Sequence, residues 1–123
     1  MRSSTSVPIP PRLPTIASTQ SAFPGPWSPE CDRGILICGT GLGISISANK
    51  VHGVRCAVCS EPVSAELARQ HNDANIIAMG ARIIGPVMAE AIVDVFLNTE
   101  FQAGRHQRRV DMIMKLDRGE SVQ

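Results

Sequence analysis

Short apolar runs alternate with amphipathic stretches through most of this chain. The apolar runs at 34–38, 54–59 and 75–79 are rich in branched side chains and are bounded by glycine or polar residues, which is typical of buried strands. The stretches between them, 44–50 and 63–71, are predicted to be helices. Strands that alternate with helices at this spacing predict an α/β fold with a parallel sheet and right-handed crossovers.

The chain after the third strand predicts two more helices. Pro86 suits the first turn of a helix because that position needs no N–H donor. The apolar face of this helix is formed by Val87, Ala91, Ile92, Val95 and Phe96. The last helix is predicted from about 105 to 116, and Arg105, Arg108 and Arg109 lie at its start. Cations there oppose the helix dipole, so an anionic ligand or partner would explain them; a solvated charged face is the alternative.

The first 29 residues differ in composition from the rest. They hold seven of the nine prolines and nine Ser or Thr residues, with Arg2 and Arg12 as their charged side chains. Such a stretch lacks the apolar pattern of a packed element, so we predict disorder for residues 1–29. One domain is then expected over residues 30–118, followed by a short tail at 119–123.

Composition limits the kinds of binding partner and the cellular compartment that we expect. The 12 Lys and Arg residues against 11 Asp and Glu give a formal net charge of +1, so neither nucleic acid nor a membrane surface is expected as a partner. No apolar run approaches about 18 residues, so a transmembrane helix is not expected. No signal peptide is visible and the four cysteines lie within 29 residues, which favours reduced thiols in the cytoplasm over a disulfide framework.

The segment GILICGTGLG, residues 34–43, carries the clearest chemical signal. A buried strand ends at Cys38, and a turn leads from it into a helix that contains Ser45. The glycines of the turn are Gly39, Gly41 and Gly43. Backbone N–H groups in such a turn can hold an anion, and the helix N-terminus favours Cys38 as a thiolate. We predict a base or nucleophile beside an oxyanion site; a tight turn with an inert thiol is the alternative.

Two further groups of polar residues are candidates. His71 and Asn72 fall between a predicted helix and a predicted strand, where a histidine can act as a general acid and an asparagine can orient a hydroxyl. They are equally well explained as a helix end and a turn. Arg82, Arg105 and Arg109 suit a phosphate group because the guanidinium makes paired hydrogen bonds to anions, although surface solubility explains them about equally well.

Other candidates carry less weight. His52 and His106 are weaker candidates, His52 because it precedes a glycine in a turn. Cys56 and Cys59 form a C-x-x-C, but no second ligand pair has matching spacing, so buried small side chains are favoured over a zinc or redox site. The glycine turn does not fit a dinucleotide loop because Ile44 occupies the third glycine position, and no Gly-Lys-Ser/Thr of a P-loop closes it.

Four segments occur in the order GILICGTGLGISISANK, CSEPVSAELARQHNDAN, GARIIGP and GRHQRRV. Together they resemble type B ribose-5-phosphate isomerases, within the family of ribose and galactose phosphate isomerases, from about Glu30 to Leu116. The resemblance implies a three-layer αβα fold of the Rossmann or flavodoxin type. It also implies an aldose–ketose isomerase without cofactor or metal, which interconverts ribose 5-phosphate and ribulose 5-phosphate as a homodimer with active sites at the subunit interface.

The same resemblance implies roles for individual residues. Cys38 would be the base that moves a proton between C1 and C2, while Thr40 and the amides of the glycine loop would hold the enediolate oxygen. His71 would assist opening of the furanose ring, and Asn72 would fix a hydroxyl. The residues expected to bind the phosphate are Arg105 and Arg109, with Arg82 from a neighbouring subunit.

The chain departs from this family at its front. Relatives begin with a strand that carries an Asp-His-x-Gly motif, followed by a helix, a second strand and a tyrosine-containing loop, whereas this chain has no Tyr and no Asp-His pair. We therefore expect the first two strand–helix units of the fold to be absent. If the sheet is wound in the order 2-1-3-4-5, the three remaining strands are contiguous; in the order 3-2-1-4-5 they are split.

The expected absence of these units bears on activity. It would remove one wall of the active site, so we expect this polypeptide to have weak or no isomerase activity. It would also expose apolar surface that favours association. A second class of function therefore stands beside the enzyme: a non-catalytic remnant that keeps the dimer surface and associates with a full-length relative.

Overall fold

The computed structural model describes residues 33–122. Within that range the elements are β1 (Gly34–Cys38), α1 (Leu42–Ala48), β2 (Cys56–Val58), α2 (Pro62–Asn72), β3 (Ile76–Gly80), α3 (Pro86–Asn98), a 3-10 helix (Gly104–His106) and α4 (Gln107–Asp117). Every strand and helix predicted for this part of the chain is present, with ends shifted by a few residues. The disorder predicted for residues 1–29 lies outside the described residues, as do Glu30 and Cys31.

The described strands form one parallel sheet in the order β1-β3-β2. The register places Gly34 opposite Ile76 and Cys38 opposite Gly80. These strands are contiguous. In both predicted windings β1, β2 and β3 are strands 3, 4 and 5, so β3 lies at an edge of the sheet. That prediction is wrong, because the structure places β3 between β1 and β2. The reason is that β3 is buried along its whole length and apolar on both faces, as a central strand is, whereas β2 is shorter and partly exposed.

Helices cover both faces of this sheet, so the predicted three-layer αβα architecture is confirmed. α1 packs on the face that carries Leu36, Ile76 and Ala78. α2 and α3 pack on the opposite face, against Ile35 and Ile77. The chain crosses from β1 to β2 at the far side of β3 and then returns to β3. The two connections have the same handedness but run in opposite directions across the sheet, so their helices, α1 and α2, lie on opposite faces.

α3 begins at Pro86, the first-turn proline expected from the sequence. Ile92 and Phe96 on its inner face are fully buried. Val87, which the sequence places on the same face, is 82% exposed. It lies in the first turn of α3, where other described residues do not cover it.

Because the strands are parallel, their ends define two different edges of the sheet. The carboxyl edge contains Cys38 and Gly80, the last residues of β1 and β3. Arg33, which precedes β1, donates hydrogen bonds to the carbonyls of Phe96 and Leu97 near the end of α3, at 2.8 and 2.9 Å. The amino edge therefore holds the starts of the strands together with the ends of α2 and α3. Within residues 33–122, none of the helices has the combination of length and hydropathy that a membrane span requires.

Candidate active site

The thiol of Cys38 lies at the end of β1, where the glycine turn begins. The backbone N–H of Gly41 donates a hydrogen bond to Cys38 Sγ at 3.1 Å. Burial raises the pKa of this thiol, but hydrogen bonds from the backbone of Ile44, Gly41 and Thr40 and from the Thr40 hydroxyl outweigh burial, so its pKa lies below the usual range. The arrangement favours the thiolate, which is the form that acts as a base or nucleophile.

Two glycines allow this turn to pack against the end of β3. Gly41 has a φ of 82°, and a Cβ there would lie 2.9 Å from the carbonyl carbon of Met79. A Cβ on Gly80 would lie 2.5 Å from the carbonyl carbon and oxygen of Thr40. Neither position accepts a side chain unless the backbone moves, so the loop that carries Cys38 is fixed against the sheet.

Arg82 is held beside the same turn by the segment that follows β3. The N–H of Ala81 donates to the carbonyl of Cys38, and the N–H of Arg82 donates to the carbonyl of Gly39, both at 2.9 Å. The Arg82 side chain passes so close that a Cβ on Gly39 would lie 3.6 Å from its Nε. The carboxyl edge thus combines a thiol, the exposed Thr40 and an exposed guanidinium.

The remaining predicted residues of this loop lie at the start of α1. The N–H of Leu42 donates to Thr40 Oγ1 at 3.2 Å. The Ser45 hydroxyl is buried and donates to the carbonyl of Leu42 at 2.8 Å, so it supports the first turn of the helix. Gly43 is exposed, and a Cβ there would meet nothing within 4 Å, which leaves open space at the helix start.

His71 stacks on His106 at the amino edge. The ring centroids are 4.2 Å apart and the planes differ by 15°. His106 is 6% exposed, and its Nδ1 has no hydrogen-bond partner among the described residues. Burial lowers the pKa of His106, and the charges of His71, Arg105 and Arg109 lower it further. The histidine pair and the two exposed arginines form one basic cluster.

A network of charged side chains fixes the turn after His71 and Asn72. Asp73 follows the last residue of α2 with a φ of 47°, and its carboxylate pairs with Arg69 at 2.9 Å and with Arg55 at 3.3 Å. Arg55 also donates to the carbonyl of Asp73, at 2.9 and 3.1 Å. Asn72 itself remains exposed. The network therefore holds the backbone that carries His71 and Asn72 while it leaves the amide of Asn72 accessible.

The predicted site residues fall into two groups on opposite edges of the sheet. The carboxyl-edge group consists of Cys38, Gly39, Thr40, Gly41, Gly43, Ser45 and Arg82. The amino-edge group consists of His71, Asn72, Arg105 and Arg109. The five residues of β3 separate the two edges by roughly 13–16 Å. The structure brings the members of each group together, but a single chain does not bring Cys38 to His71.

Three residues of the amino edge are hard to recognise from sequence. A lone histidine in a basic run has no pattern that predicts burial, so His106 is only a weak candidate from sequence. Arg55 and Arg69 are not singled out at all. The spacing of Arg69 four residues before Asp73 is a signal that could have found that pair, because such residues face each other on a helix.

The other described thiols are not activated. Cys56 and Cys59 are free, and burial raises the pKa of Cys56 to about 12 and that of Cys59 to about 11. Cys59 is part of the core on one face of the sheet, and Cys56 packs against the core on the other. This agrees with their interpretation as buried small side chains. Within residues 33–122 no group of three or more His, Cys, Asp or Glu could hold a metal ion.

The chain is similar to known proteins in both sequence and structure. Residues 25–113 match the sequence model of a family described as Ribose/Galactose Isomerase. The chain is 56% identical to Ribose-5-phosphate isomerase B of Escherichia coli strain K12 over 88 residues, which are 72% of this chain and 59% of that protein. It spans 58–60% of the length of this relative and of two others from Bacillus subtilis and Listeria innocua.

Solved structures agree with the sequence comparison. Ribose-5-Phosphate Isomerase B of Clostridium thermocellum superposes with a TM-score of 0.82 at 48% identity, over 90% of this chain and 75% of that one. Ribose-5-phosphate Isomerase B of Mycoplasma genitalium, solved with bound ribulose-5-phosphate, has a TM-score of 0.68 at 45% identity, over 70% of this chain and 57% of that one. Both comparisons confirm the predicted fold.

Proposed function

This chain belongs to the ribose/galactose isomerase family, and from this premise we propose that it is an aldose–ketose isomerase that interconverts ribose 5-phosphate and ribulose 5-phosphate. The observation that carries the proposal is the Cys38 thiol, whose pKa is lowered by backbone hydrogen bonds at one edge of the sheet. Removal of a proton next to a carbonyl needs such a base, together with donors that face the oxygen on which negative charge develops.

Proton transfer would use the carboxyl edge. The Cys38 thiolate takes the proton from C2 of the open-chain aldose, and the electron pair of that bond forms the C1=C2 double bond of an enediolate with its negative charge on O1. The exposed Thr40 hydroxyl and the N–H groups of the turn stabilise this oxygen. The hydroxyl proton of O2 then passes to O1, and the thiol returns its proton to C1, which leaves a ketone at C2.

Ring opening and phosphate binding would use the amino edge. His71 donates a proton to the ring oxygen as its bond to C1 breaks, while the C1 hydroxyl gives its proton to solvent and becomes the aldehyde. Asn72 holds a sugar hydroxyl. Arg105 and Arg109 bind the phosphate through charge-assisted hydrogen bonds, and Arg82 adds a third guanidinium from the carboxyl edge.

The separation of the two groups supports a homodimer with active sites at the subunit interface. A site that contains both groups needs the amino edge of one copy against the carboxyl edge of the other, as a two-fold axis allows. Large apolar side chains are exposed on α1, β2 and α2, and a second copy would bury them. They are Leu42, Ile46, Val58, Val63 and Leu67. We expect a cytoplasmic location, because Cys38 acts only as a reduced thiol.

Turnover of ribose 5-phosphate by the purified chain tests the activity. Cys38→Ala is expected to lower kcat by about 10²–10⁴-fold because it removes the proton-transfer group. Cys56→Ala is the matched control, a described thiol outside the proposed site, and it should leave kcat unchanged. Equal activity of Cys38→Ala and the unaltered chain would contradict the proposal. Co-elution with a full-length relative, without any Cys38-dependent turnover, would favour the non-catalytic remnant.

Mixing two inactive variants tests the shared site. A dimer of one Cys38→Ala chain and one Arg109→Ala chain has one site with both residues intact and one site with neither. Random reassociation should therefore restore about a quarter of the unaltered activity, since half of the dimers are mixed and each has one intact site. Activity that stays at the level of the separate variants would show that each site belongs to a single chain.

A further inference from the structure

We propose that His106 is a positioning residue for His71, a buried ring on which the ring-opening histidine stacks. The inference rests on the proposed isomerase function, in which His71 acts on the furanose ring and His106 does not touch the substrate. It assigns a purpose to a buried histidine that the proton-transfer and phosphate-binding steps do not use.

The contact between the rings is the first observation. Their centroids lie 4.2 Å apart with planes only 15° from parallel, which is a full face-to-face contact rather than an edge contact. The His71 imidazole makes no side-chain hydrogen bond to another described residue, so a hydrogen bond does not set its ring plane. The stack on His106 therefore determines the direction in which the ring nitrogens of His71 point.

The state of His106 is the second observation. Its Nδ1 is buried without a partner among residues 33–122, and a charged ring would need donors satisfied at both nitrogens. Burial and the neighbouring Arg105 and Arg109 lower its pKa, which favours the neutral ring. A neutral aromatic face can accept a protonated His71 against it, whereas a second cation would oppose that proton.

The backbone before His106 is the third observation. Ala103 has a φ of 52°, a left-handed value that is uncommon for a residue with a side chain, and Gly104 follows with a φ of 54°. The N–H of Gln102 donates to the carbonyl of Gln70 at 3.1 Å, so this segment is tied to the last turn of α2. The strained turn directs the 3-10 helix, and with it His106, against the end of α2.

Two substitutions of similar size separate stacking from packing. His106→Phe keeps a flat aromatic face, whereas His106→Leu fills the space without one. On ribose 5-phosphate we expect kcat to fall by about 10- to 100-fold in His106→Leu, because a misdirected catalytic group loses rate steeply with position. His106→Phe should retain most of the activity, and KM should change little in both variants because Arg105 and Arg109 remain.

A substrate without a ring gives the decisive comparison. Erythrose 4-phosphate cannot form a furanose, because the hydroxyl that would close the ring is esterified. His106→Leu should therefore convert it as fast as the unaltered chain does, although it is slow on ribose 5-phosphate. Equal losses on the two sugars would overturn the proposal and show that His106 only supports the fold. Full activity of His106→Leu on both sugars would overturn it as well.

A measurement independent of turnover tests the stack itself. Nuclear Overhauser contacts between the ring protons of residues 71 and 106 should be present in the unaltered chain and in His106→Phe. In His106→Leu the ring protons of His71 should shift as the ring current of its neighbour is lost. Absence of the ring-to-ring contact in the unaltered chain would overturn the proposal. Absence of any Cys38-dependent turnover, with the contact present, would instead contradict the proposed function.

Discussion

The two edges of the sheet carry chemistry that is built by different means. At the carboxyl edge, the backbone forms most of the site. N–H groups of the turn donate to Cys38, and the absence of a side chain at Gly41 and Gly80 allows the loop to contact the strand. At the amino edge, side chains from separate elements form the site: Asp73 pairs with two arginines, and His71 stacks on a buried ring. The Cys38 thiol and its hydrogen-bond donors lie in adjacent residues, whereas the stack of His71 on His106 joins distant ones.

This difference determines which substitutions each edge tolerates. A backbone site loses its geometry when a glycine gains a Cβ, yet it is indifferent to many side-chain changes around it. A side-chain site has the opposite sensitivity, because each removed group leaves a buried partner without its contact. Four measurements test this contrast.

The reactivity of two thiols at opposite ends of the sheet should show the largest difference. At pH 7 we expect iodoacetamide to modify Cys38 at least about 10²-fold faster than Cys56, because only the thiolate reacts and the pKa of Cys56 is about 12. Between pH 7 and 10 the rate at Cys56 should rise about tenfold per unit, while that at Cys38 levels off above its lowered pKa.

Peptide mass spectrometry of timed samples assigns the label to each cysteine, including Cys31 outside the described residues. Alkylation in denaturant is the control, where the thiols should react at similar rates. Equal rates at Cys38 and Cys56 in the folded chain would contradict the view that backbone donors activate one thiol and burial suppresses the other.

Addition of a methyl group at Gly80 should lower both the stability and the activity that depend on the carboxyl edge. Gly80→Ala places a Cβ 2.5 Å from the backbone of Thr40. We expect a loss of about 1–3 kcal/mol in the free energy of unfolding and about 10²-fold in kcat, because the turn must move away from β3 and carry its donors with it. Urea unfolding and the isomerase assay measure the two effects.

Gly85→Ala is the matched control for this variant, because a Cβ at Gly85 meets nothing within 4 Å. Its free energy of unfolding and its kcat should stay close to those of the unaltered chain. If the two alanine variants behaved alike, the close approach of the turn to β3 would not be what fixes the Cys38 loop.

Removal of the carboxylate at Asp73 should be the corresponding change at the amino edge. Asp73→Ala leaves Arg69, whose side chain is only 5% exposed, without its charged partner. We expect the free energy of unfolding to fall by about 2 kcal/mol. Asp94→Ala, at an exposed position on α3, is the control and should change it little. A small effect of Asp73→Ala in urea unfolding would show that the two arginines do not depend on this bridge.

The smallest effect is expected at the exposed contact between His52 and Asp117. His52 Nδ1 lies 3.4 Å from Asp117 Oδ1, but the histidine side chain is 84% exposed. His52→Ala should change the free energy of unfolding by less than about 0.5 kcal/mol, because solvent screens such pairs. A loss as large as that of Asp73→Ala in the same urea experiment would mean that charge pairing, rather than burial, is what makes the amino edge sensitive.

Much of the fold could be predicted because its signals are local. The apolar runs, the glycine turn and Pro86 each report on their own segment, and the structure places elements at all of them. Strand order could not be obtained in this way, because it depends on which strand the others enclose. The available signal was that residues 76–79 are all apolar whereas Arg55 interrupts the run at 54–59, which favours β3 as the enclosed strand.

The same distinction between local and distant signals applies to the candidate site. Cys38 and its turn are predictable because strand, thiol and glycines are contiguous. The stack of His71 on His106 is not, since it joins residues 35 positions apart through a turn whose left-handed backbone at Ala103 has no sequence signature. That Cys38 and His71 lie on opposite edges was within reach of the sequence, because in a parallel sheet a residue that ends a strand and a residue that precedes a strand belong to different edges.

The central position of β3 also affects how the chain is made. β1 and β2 each hydrogen-bond to β3 and not to one another. When β1 and β2 have both emerged from the ribosome, no strand pair of this sheet can yet form. Both ladders between the described strands need β3, so they form only after Gly80 has left the exit tunnel. Until then the apolar run that ends at Cys38 has no described strand beside it, and the nascent chain is open to aggregation or to capture by a chaperone.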